Sequence, residues 1–152
     1  MNSDFRDLLR TLHEEKVRFL VAGGYAVIHH TQPRYTKDID IWVEPSTENA
    51  RLLMRALAKF GISLIGLTEA DFAEPKTQLS VGVAPSEIDL LTSIPGLDFH
   101  AAWENKVISN EHGLPIPYLG KSDLITAKIT AGRNQDLADL DELRRADPQG
   151  DS

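Results

Sequence analysis

Asp38 and Asp40 stand two residues apart in the apolar run DIDIWV, and their types and spacing point to chemistry. The side chains of a β-strand alternate between its two faces, so both carboxylates project from the same face. Two adjacent anions repel each other, a bound divalent cation removes that repulsion, and Mg²⁺ prefers oxygen ligands of this type. The pair therefore predicts a metal site for phosphoryl or nucleotidyl transfer, with a solvated strand edge as the alternative.

A glycine pair, Gly23 and Gly24, lies upstream of these aspartates, at the end of an apolar stretch over residues 17–22. Glycine lets the backbone approach a ligand closely, and a strand that turns directly into a helix presents free N–H groups that can bind a phosphate. The amides of Gly23, Gly24 and Tyr25 are therefore candidates for phosphate binding. Ordinary turn chemistry is the alternative for such a pair.

A third carboxylate, Asp89, lies in the later run SEIDLLTSI. Strand alternation places Asp89 on the face opposite to Ile88 and Leu90, with Glu87 beside it. If this strand lies next to the strand of Asp38, three carboxylates converge, and such a trio suits a two-metal site. A hydrated hairpin residue is the alternative interpretation of Asp89.

Hydrophobic spacing predicts the elements that must position these residues. Helices are expected over residues 3–16, 25–30, 47–60, 69–72, 99–106, 123–131 and 135–146, with Ser3, Ser46, Thr68, Asp98 and Ser122 as capping residues. Strands are expected over residues 17–22, 38–44, 62–67, 78–83, 87–91 and 116–119, and the last of these reads as an edge strand because prolines flank it. The order predicts a mixed sheet flanked by helices, in the α/β or α+β class.

The composition sets outer limits on function. The 152 residues fit a single domain, expected over residues 1–147 with a frayed tail over residues 148–152, and the absence of cysteine excludes disulfides and thiolate chemistry. A net charge of −7 argues against broad binding to nucleic acid. No run is apolar enough for a membrane span or a signal peptide, so a cytoplasmic protein without membrane contact is expected.

Together, the glycine pair, the Asp-x-Asp pair and the later third aspartate resemble the nucleotidyltransferase fold of the DNA polymerase beta superfamily. The runs RYTKDIDIWVEPSTEN, SEIDLLTSIPGLDFHAAW and KSDLITAKITAGRNQDLADLDEL resemble the small bacterial AbiEii/MenT-like nucleotidyltransferases, and the likeness extends from about Phe19 to Leu143. Many proteins of that group are toxins of toxin–antitoxin or phage-defence pairs.

The resemblance implies roles for individual residues. Gly23 and Gly24 would cradle the β- and γ-phosphates of an NTP, and Asp38 and Asp40 would bind two Mg²⁺ ions, with Mn²⁺ as a substitute. Asp89 would complete the second metal site and help to activate the nucleophile.

Basic residues near the C-terminus also match the pattern of this group. Lys128 would steady the triphosphate. Arg133 and Asp136 match the motif that follows, and their spacing of three residues would allow an ion pair. Lys121 and Asp123 match a further position to which no role is given.

The implied reaction is transfer of an NMP from an NTP onto a hydroxyl group of an RNA 3′ end such as tRNA, of a protein side chain or of a small molecule. Larger relatives carry a helical C-terminal domain that shapes the acceptor site, so a homo-oligomer or a cognate antitoxin is an expected partner. The alternative from a different class is a catalytically silent NTP-binding or regulatory module. A plain α/β domain with surface aspartates is the third interpretation.

Overall fold

The computed structural model of the chain describes residues 1–83 and 85–146. Its strands are β1 Phe19–Ala22, β2 Asp38–Val43, β3 Gln78–Val81, β4 Glu87–Leu91, β5 Val107–Glu111 and β6 Leu114–Tyr118. Its helices are α1 Ser3–Glu14, α2 Gly23–His30, α3 Thr47–Phe60, α4 Glu69–Ala73, α5 Phe99–Glu104, α6 Lys121–Ala131 and α7 Asn134–Ala146. The predicted frayed tail and the predicted domain end at residue 147 lie outside the described residues.

The strands form one mixed sheet in the order β3-β4-β2-β1-β6-β5. Strand β2 runs antiparallel to β1, where Ala22 pairs with Asp40, and parallel to β4, where Asp40 pairs with Asp89. This mixed sheet with its helices confirms the predicted fold class. The registers also place the glycine corner after β1 and the carboxylates of β2 and β4 side by side.

The core is built from the apolar sides of the central strands and the helices that pack on them. Strand β1 is buried along its whole length, whereas β2 buries its isoleucines and keeps Asp38 and Asp40 only partly covered. Helix α1 adds four buried side chains at helical spacing, namely Phe5, Leu8, Leu9 and Leu12. Each such side chain stabilises the fold by roughly 1.5–3 kcal/mol relative to full exposure.

Capping chemistry explains most helix ends. Ser46 accepts a hydrogen bond from the Asn49 amide at the start of α3, and Gly61 ends that helix in the left-handed conformation, both as predicted. Helix α1 instead begins after Asn2, whose side chain accepts from the Phe5 amide, so the prediction of Ser3 as its cap is wrong. Helix α6 begins at Lys121, two residues earlier than predicted, so the prediction of Ser122 as its cap is wrong.

Two strand predictions are wrong. Residues 62–67 form turns rather than a strand, and the sequence reasoning missed β5 altogether.

The predicted edge strand over residues 116–119 belongs to β6, which lies between β1 and β5. The backbone N–H groups of a strand point alternately to its two neighbours, and the Leu119 N–H donates to Val21 on β1. The nitrogens of Pro115 and Pro117, two and four residues earlier, therefore also point toward β1. Their missing N–H groups thus cost no hydrogen bond to β5, and β6 pairs with β1 at Tyr118.

No helix in the part of the chain that the structure describes is both long and apolar enough to cross a membrane.

Candidate functional site

Three acidic side chains meet on one face of the sheet. Asp38 and Asp40 share a face of β2, and Asp89 lies directly across from Asp40 on the parallel strand β4. These three residues line one cleft of about 440 Å³ together with Gly23 and Lys128. The structure therefore brings together residues from the glycine corner, the two strands and helix α6.

Gly23 is required where β1 turns into α2. Its φ is +59°, and a Cβ atom at this position would collide with Asp40 Oδ2. Only glycine fits such a close approach at such a backbone angle. The helix that begins here has no side-chain cap on Ala22, so its first N–H groups are available beside the cleft. Gly24 makes a looser contact, since its Cβ would lie 2.7 Å from Thr36 Oγ1.

The crowding of carboxylates changes their protonation. Burial, together with the negative charges of Asp89 and Asp38, raises the pKa of Asp40 to about 7. Burial and a hydrogen bond with Asp89 also raise the pKa of Asp38. Asp40 can therefore hold a proton near neutral pH, and a cation bound beside it would displace that proton.

The donor set fits a hard divalent cation, because all three side chains offer carboxylate oxygens on one wall of one cleft. Their present geometry is not that of a finished cage: within residues 1–83 and 85–146, no group of three or more His, Cys, Asp and Glu side chains is arranged to hold a metal ion. Asp89 Oδ1 accepts a hydrogen bond from the Ser80 hydroxyl on β3. The three carboxylates lie side by side on two paired strands.

A buried ion-pair network lies on the other side of the cleft. Lys128 Nζ lies 3.1 Å from Asp136 Oδ1 and 3.0 Å from Asp139 Oδ2, and these two aspartates are 1% and 2% exposed. Arg133 also contacts Asp136, at 2.6 Å through Nε, which confirms the predicted pairing of these two residues. Arg34, which precedes β2, reaches Asp139 at 2.8 Å.

The network alters what was expected of its cations. The predicted phosphate-binding Lys128 is already held by two carboxylates. Arg34 forms an ion pair with Asp139 of α7. Hydrogen bonds from Arg133 and Lys128 lower the pKa of Asp136 to about 2. Burial would raise the pKa of Asp139, but hydrogen bonds from Arg34 and Lys128 outweigh burial and lower it. Both carboxylates are therefore ionised at neutral pH and fix these cations.

Asp139 is the residue that sequence reasoning missed. Its only local signal is its spacing of three from Asp136 on α7, which puts both carboxylates on one side of that helix. Its bond to Arg34 joins positions 105 residues apart, and no sequence pattern marks such a contact.

The remaining candidates have mainly packing contacts. Tyr25 is the third residue of α2, and its ring meets Phe5 edge to face at 5.8 Å, while its amide belongs to the glycine corner. Lys121 begins α6, and Asp123 in the same turn has an oxygen that is buried without a hydrogen-bond partner among the described residues. Neither of these two lines the cleft of the carboxylates.

Two histidines at the end of α2 contact β6 and the residue after it. His29 stacks on Tyr118 with ring centroids 4.2 Å apart, and His30 Nε2 lies 2.9 Å from the Leu119 carbonyl oxygen. Both contacts join α2 to β6 and its end. These histidines therefore hold the helix that carries the glycine corner, and they do not line the cleft.

Comparison with known proteins gives no matching family model and no matching curated protein. Solved structures do match. TM1012 of Thermotoga maritima, provisionally assigned as a nucleotidyltransferase, superposes with a TM-score of 0.61 at 19% identity over 90% of this chain and 88% of that one. The lincosamide antibiotic adenylyltransferase LnuA, bound to lincomycin, gives 0.63 at 15% identity over 96% and 98%. This chain has the nucleotidyltransferase fold.

A third solved structure agrees. ANT(2″)-Ia in complex with adenylyl-2″-tobramycin gives a TM-score of 0.60 at 12% identity, over 92% of this chain and 85% of that chain. Identities this low speak for the fold alone. The chemistry of this chain must be argued from its own cleft.

Proposed function

We propose that this chain is a nucleotidyltransferase that moves an NMP from a Mg²⁺-bound NTP onto a hydroxyl group. The observation that carries the proposal is the meeting of Asp38, Asp40 and Asp89 on two adjacent strands, beside a helix that starts at Gly23. Carboxylates in this number are unfavourable without a cation, and uncapped N–H groups suit a phosphate. The fold shared with two antibiotic adenylyltransferases supports the same reaction class.

The protein's share in such a reaction is mainly positioning. The amides at the start of α2 would hold the β- and γ-phosphates, so that the α-phosphorus faces the carboxylates. Asp89 would accept the proton of the acceptor hydroxyl as its oxygen attacks that phosphorus. The bond to the bridging oxygen breaks, and pyrophosphate leaves with the electron pair.

Asp38, Asp40 and Asp89 would hold the cations. Bound Mg²⁺ supplies charge neutralisation for the phosphate oxygens and lowers the pKa of the attacking hydroxyl. The raised pKa of Asp40 fits this role. Burial and neighbouring anions disfavour its ionised form, and a bound cation would stabilise that form.

Lys128 would contribute positive charge to the triphosphate side of the cleft that it lines. Its ion pairs with Asp136 and Asp139 fix the position of its ammonium group, and the two carboxylates offset its positive charge. Arg133 has a side chain that is 78% exposed, so it can turn toward a bound phosphate at lower cost.

A catalytically silent NTP-binding module is the second candidate, and the held ammonium of Lys128 favours it. In such a module the cleft would still bind Mg²⁺ and NTP but would not release pyrophosphate. Within the enzyme proposal, the resemblance to AbiEii/MenT-like proteins supports a role as the toxin of a pair with a cognate antitoxin. Growth arrest on induced expression, relieved by a neighbouring gene, would test that role.

The decisive assay uses the four α-³²P-labelled NTPs with Mg²⁺ and cell extract. We expect a labelled acceptor and released pyrophosphate with the wild type, and neither with Asp40→Asn. Thermal stability should also rise when Mg²⁺ and NTP are added together, because ligands that bind only the native state stabilise it. Stabilisation without any labelled product would support the silent module, and equal labelling by Asp40→Asn would refute the proposed site.

A further inference from the structure

The buried ion-pair network beside the carboxylate cleft is an alternating row of charges. In order of contact its members are Arg34, Asp139, Lys128, Asp136 and Arg133. Three of them are cations and two are carboxylates, so the network carries one net positive charge. Lys128 and Arg133 line the cleft, whereas Arg34 does not. The reaction proposed above gives Arg34 no role.

Each carboxylate of the network lies between Lys128 and one arginine. Asp139 contacts Arg34 through Oδ1 at 2.8 Å and Lys128 through Oδ2 at 3.0 Å. Asp136 in the same way contacts Arg133 through Oδ2 and Lys128 through Oδ1. Lys128 therefore faces two carboxylates, and each arginine offsets the negative charge of one of them.

Arg34 reaches its carboxylate from outside the cleft. It lies between α2 and β2, four residues before Asp38, and its side chain is 35% exposed. The side chain of Lys128 is 12% exposed, and that of Asp139 is 2% exposed. Solvent screens charges in such a place only weakly. The charge of Arg34 therefore influences how strongly Asp139 attracts Lys128.

Loss of Arg34 would change the charge balance around Lys128. Gln135 Nε2 would still donate to Asp139 Oδ1, at 2.9 Å, but a neutral amide does not cancel the charge of a carboxylate. The network would then hold two cations and two carboxylates, and its net charge would be zero. An ammonium group that is balanced in this way attracts a phosphate less strongly.

The charge of Lys128 acts on the proposed reaction centre. Burial raises the pKa of Asp40, and Lys128 is the cation that opposes this rise. Lys128 also lines the cleft that holds Asp40, on the side where we place the triphosphate. The net charge of the network therefore bears on NTP binding.

We propose that Arg34 is a positioning residue for NTP binding: it offsets the charge of Asp139, so that Lys128 keeps positive charge for the triphosphate. This inference rests on the proposed binding of Mg²⁺ and NTP in the carboxylate cleft. Arg34 does not touch the nucleotide and acts through Asp139. It sets the affinity for NTP and takes no part in the transfer itself.

Four variants separate the charge of Arg34 from its contacts. Arg34→Gln lowers the net charge of the network from +1 to 0, and Arg34→Lys keeps it at +1. Asp139→Asn raises the net charge to +2, and the double variant Arg34→Gln/Asp139→Asn returns it to +1. Arg145→Gln is the control, since it removes an exposed cation of α7.

The assay measures binding without turnover. Each protein is titrated by calorimetry, in the presence of Mg²⁺, with the α,β-methylene analogues of the four NTPs, which cannot release pyrophosphate. Circular dichroism first establishes that each variant is folded. The result therefore applies equally to an active enzyme and to a silent module.

We expect the affinity to follow the net charge of the network. Arg34→Gln should weaken binding roughly tenfold, the effect of one unit charge about 10 Å from a phosphate at an effective dielectric constant of about 20. Arg34→Lys should lose less, and Arg145→Gln should bind as the wild type does because its exposed charge is screened. Asp139→Asn should bind at least as tightly as the wild type, and the double variant should recover most of the loss.

A purely structural role of Arg34 gives a different order, because the double variant has lost the most contacts and would bind most weakly. Equal affinities of the wild type and Arg34→Gln, or a double variant weaker than Arg34→Gln, would overturn the role of Arg34 while the proposed reaction stands. If Arg34→Gln does not fold, weaker binding by Asp139→Asn than by the wild type overturns it in the same way. Failure of the wild type to bind any of the analogues would refute the nucleotide site, and the role of Arg34 with it.

Discussion

Replacing Asp40 by asparagine should stabilise the metal-free protein at alkaline pH. Asparagine has the same shape as aspartate and no charge, and the Asp40 carboxyl has its pKa raised from 3.8 to about 7. The folded chain therefore holds a proton between these two values that the unfolded chain releases. The wild type therefore loses stability as pH rises through this window, because only its unfolded chain ionises Asp40 there, and above pH 7 the loss is complete.

A shift of about 3 pKa units corresponds to roughly 4 kcal/mol at pH 8, and the linkage relation leaves roughly 2 kcal/mol of it at pH 5. The advantage of Asp40→Asn over the wild type should thus grow by roughly 2–3 kcal/mol between pH 5 and pH 8. Asp136 has its pKa lowered to about 2, so it is ionised throughout this range and does not contribute to the change. Burial lowers the pKa of His29, which acts in the opposite direction but equally in both proteins.

Urea unfolding at pH 5 and pH 8, in buffer with a chelator, measures the difference. Asp7→Asn is the control, because Asp7 is exposed and forms a surface ion pair with Arg10. Saturating Mg²⁺ at pH 8 should reverse the order by stabilising the wild type alone. A pH-independent difference between wild type and Asp40→Asn would refute the electrostatic reasoning, and stabilisation of both proteins by Mg²⁺ would refute Asp40 as a ligand.

Three further outcomes follow from the same contacts. Gly23→Ala should destabilise the fold by about 1–3 kcal/mol in thermal unfolding, because its φ is +59° and its Cβ would collide with Asp40; a change below 0.5 kcal/mol, the usual scale for a surface site, would contradict that contact. Asp139→Ala should cost about 1.5–3 kcal/mol in urea unfolding, since Arg34 loses this carboxylate and Lys128 keeps Asp136 alone, and Asp141→Ala on the same helix should be nearly neutral. Lys128→Ala should raise the KM for NTP more than it lowers kcat if its ammonium grips the ground-state phosphates, and the reverse pattern in steady-state kinetics would give Lys128 a transition-state role.

The central part of the site could be predicted because short-range rules decide it. Strand alternation alone places Asp38 and Asp40 on one face of β2. The apolar alternation of residues 78–83 and 87–91 predicts the hairpin of β3 and β4, and Asp89 lies on its second strand. The sequence did not predict that β2 pairs with β4; the convergence of the three carboxylates was expected only if these two strands were neighbours. The observed register places Asp40 opposite Asp89, which is what the convergence required.

Other parts of the fold depend on contacts that no local pattern records. Strand β5, with the sequence VISNE, is a partly exposed edge, so it lacks the apolar alternation that marks a buried strand. The prolines of β6 suggested an edge, and the strand is interior only because β1 pairs with its far end. The bond between Arg34 and Asp139 is likewise a product of tertiary packing.

The glycine corner shows a different kind of gap. Sequence reasoning assigned Gly23 to a phosphate, whereas the structure first requires glycine there for the approach of Asp40. The two roles are compatible, since the N–H groups of α2 remain uncapped beside the carboxylates. Sequence alone does not distinguish a glycine that leaves room for a ligand from one that leaves room for a neighbouring side chain.

Counting Mn²⁺ ions by electron paramagnetic resonance, with ATP present and a protein-free Mn²⁺–ATP sample as the reference, tests the central claim most directly, because ions bound beyond that reference need the carboxylates as ligands. The account predicts two protein-bound ions per chain in the wild type and loss of that binding in Asp40→Asn and Asp89→Asn. A wild-type spectrum equal to the reference, or unchanged binding in both variants, would contradict it.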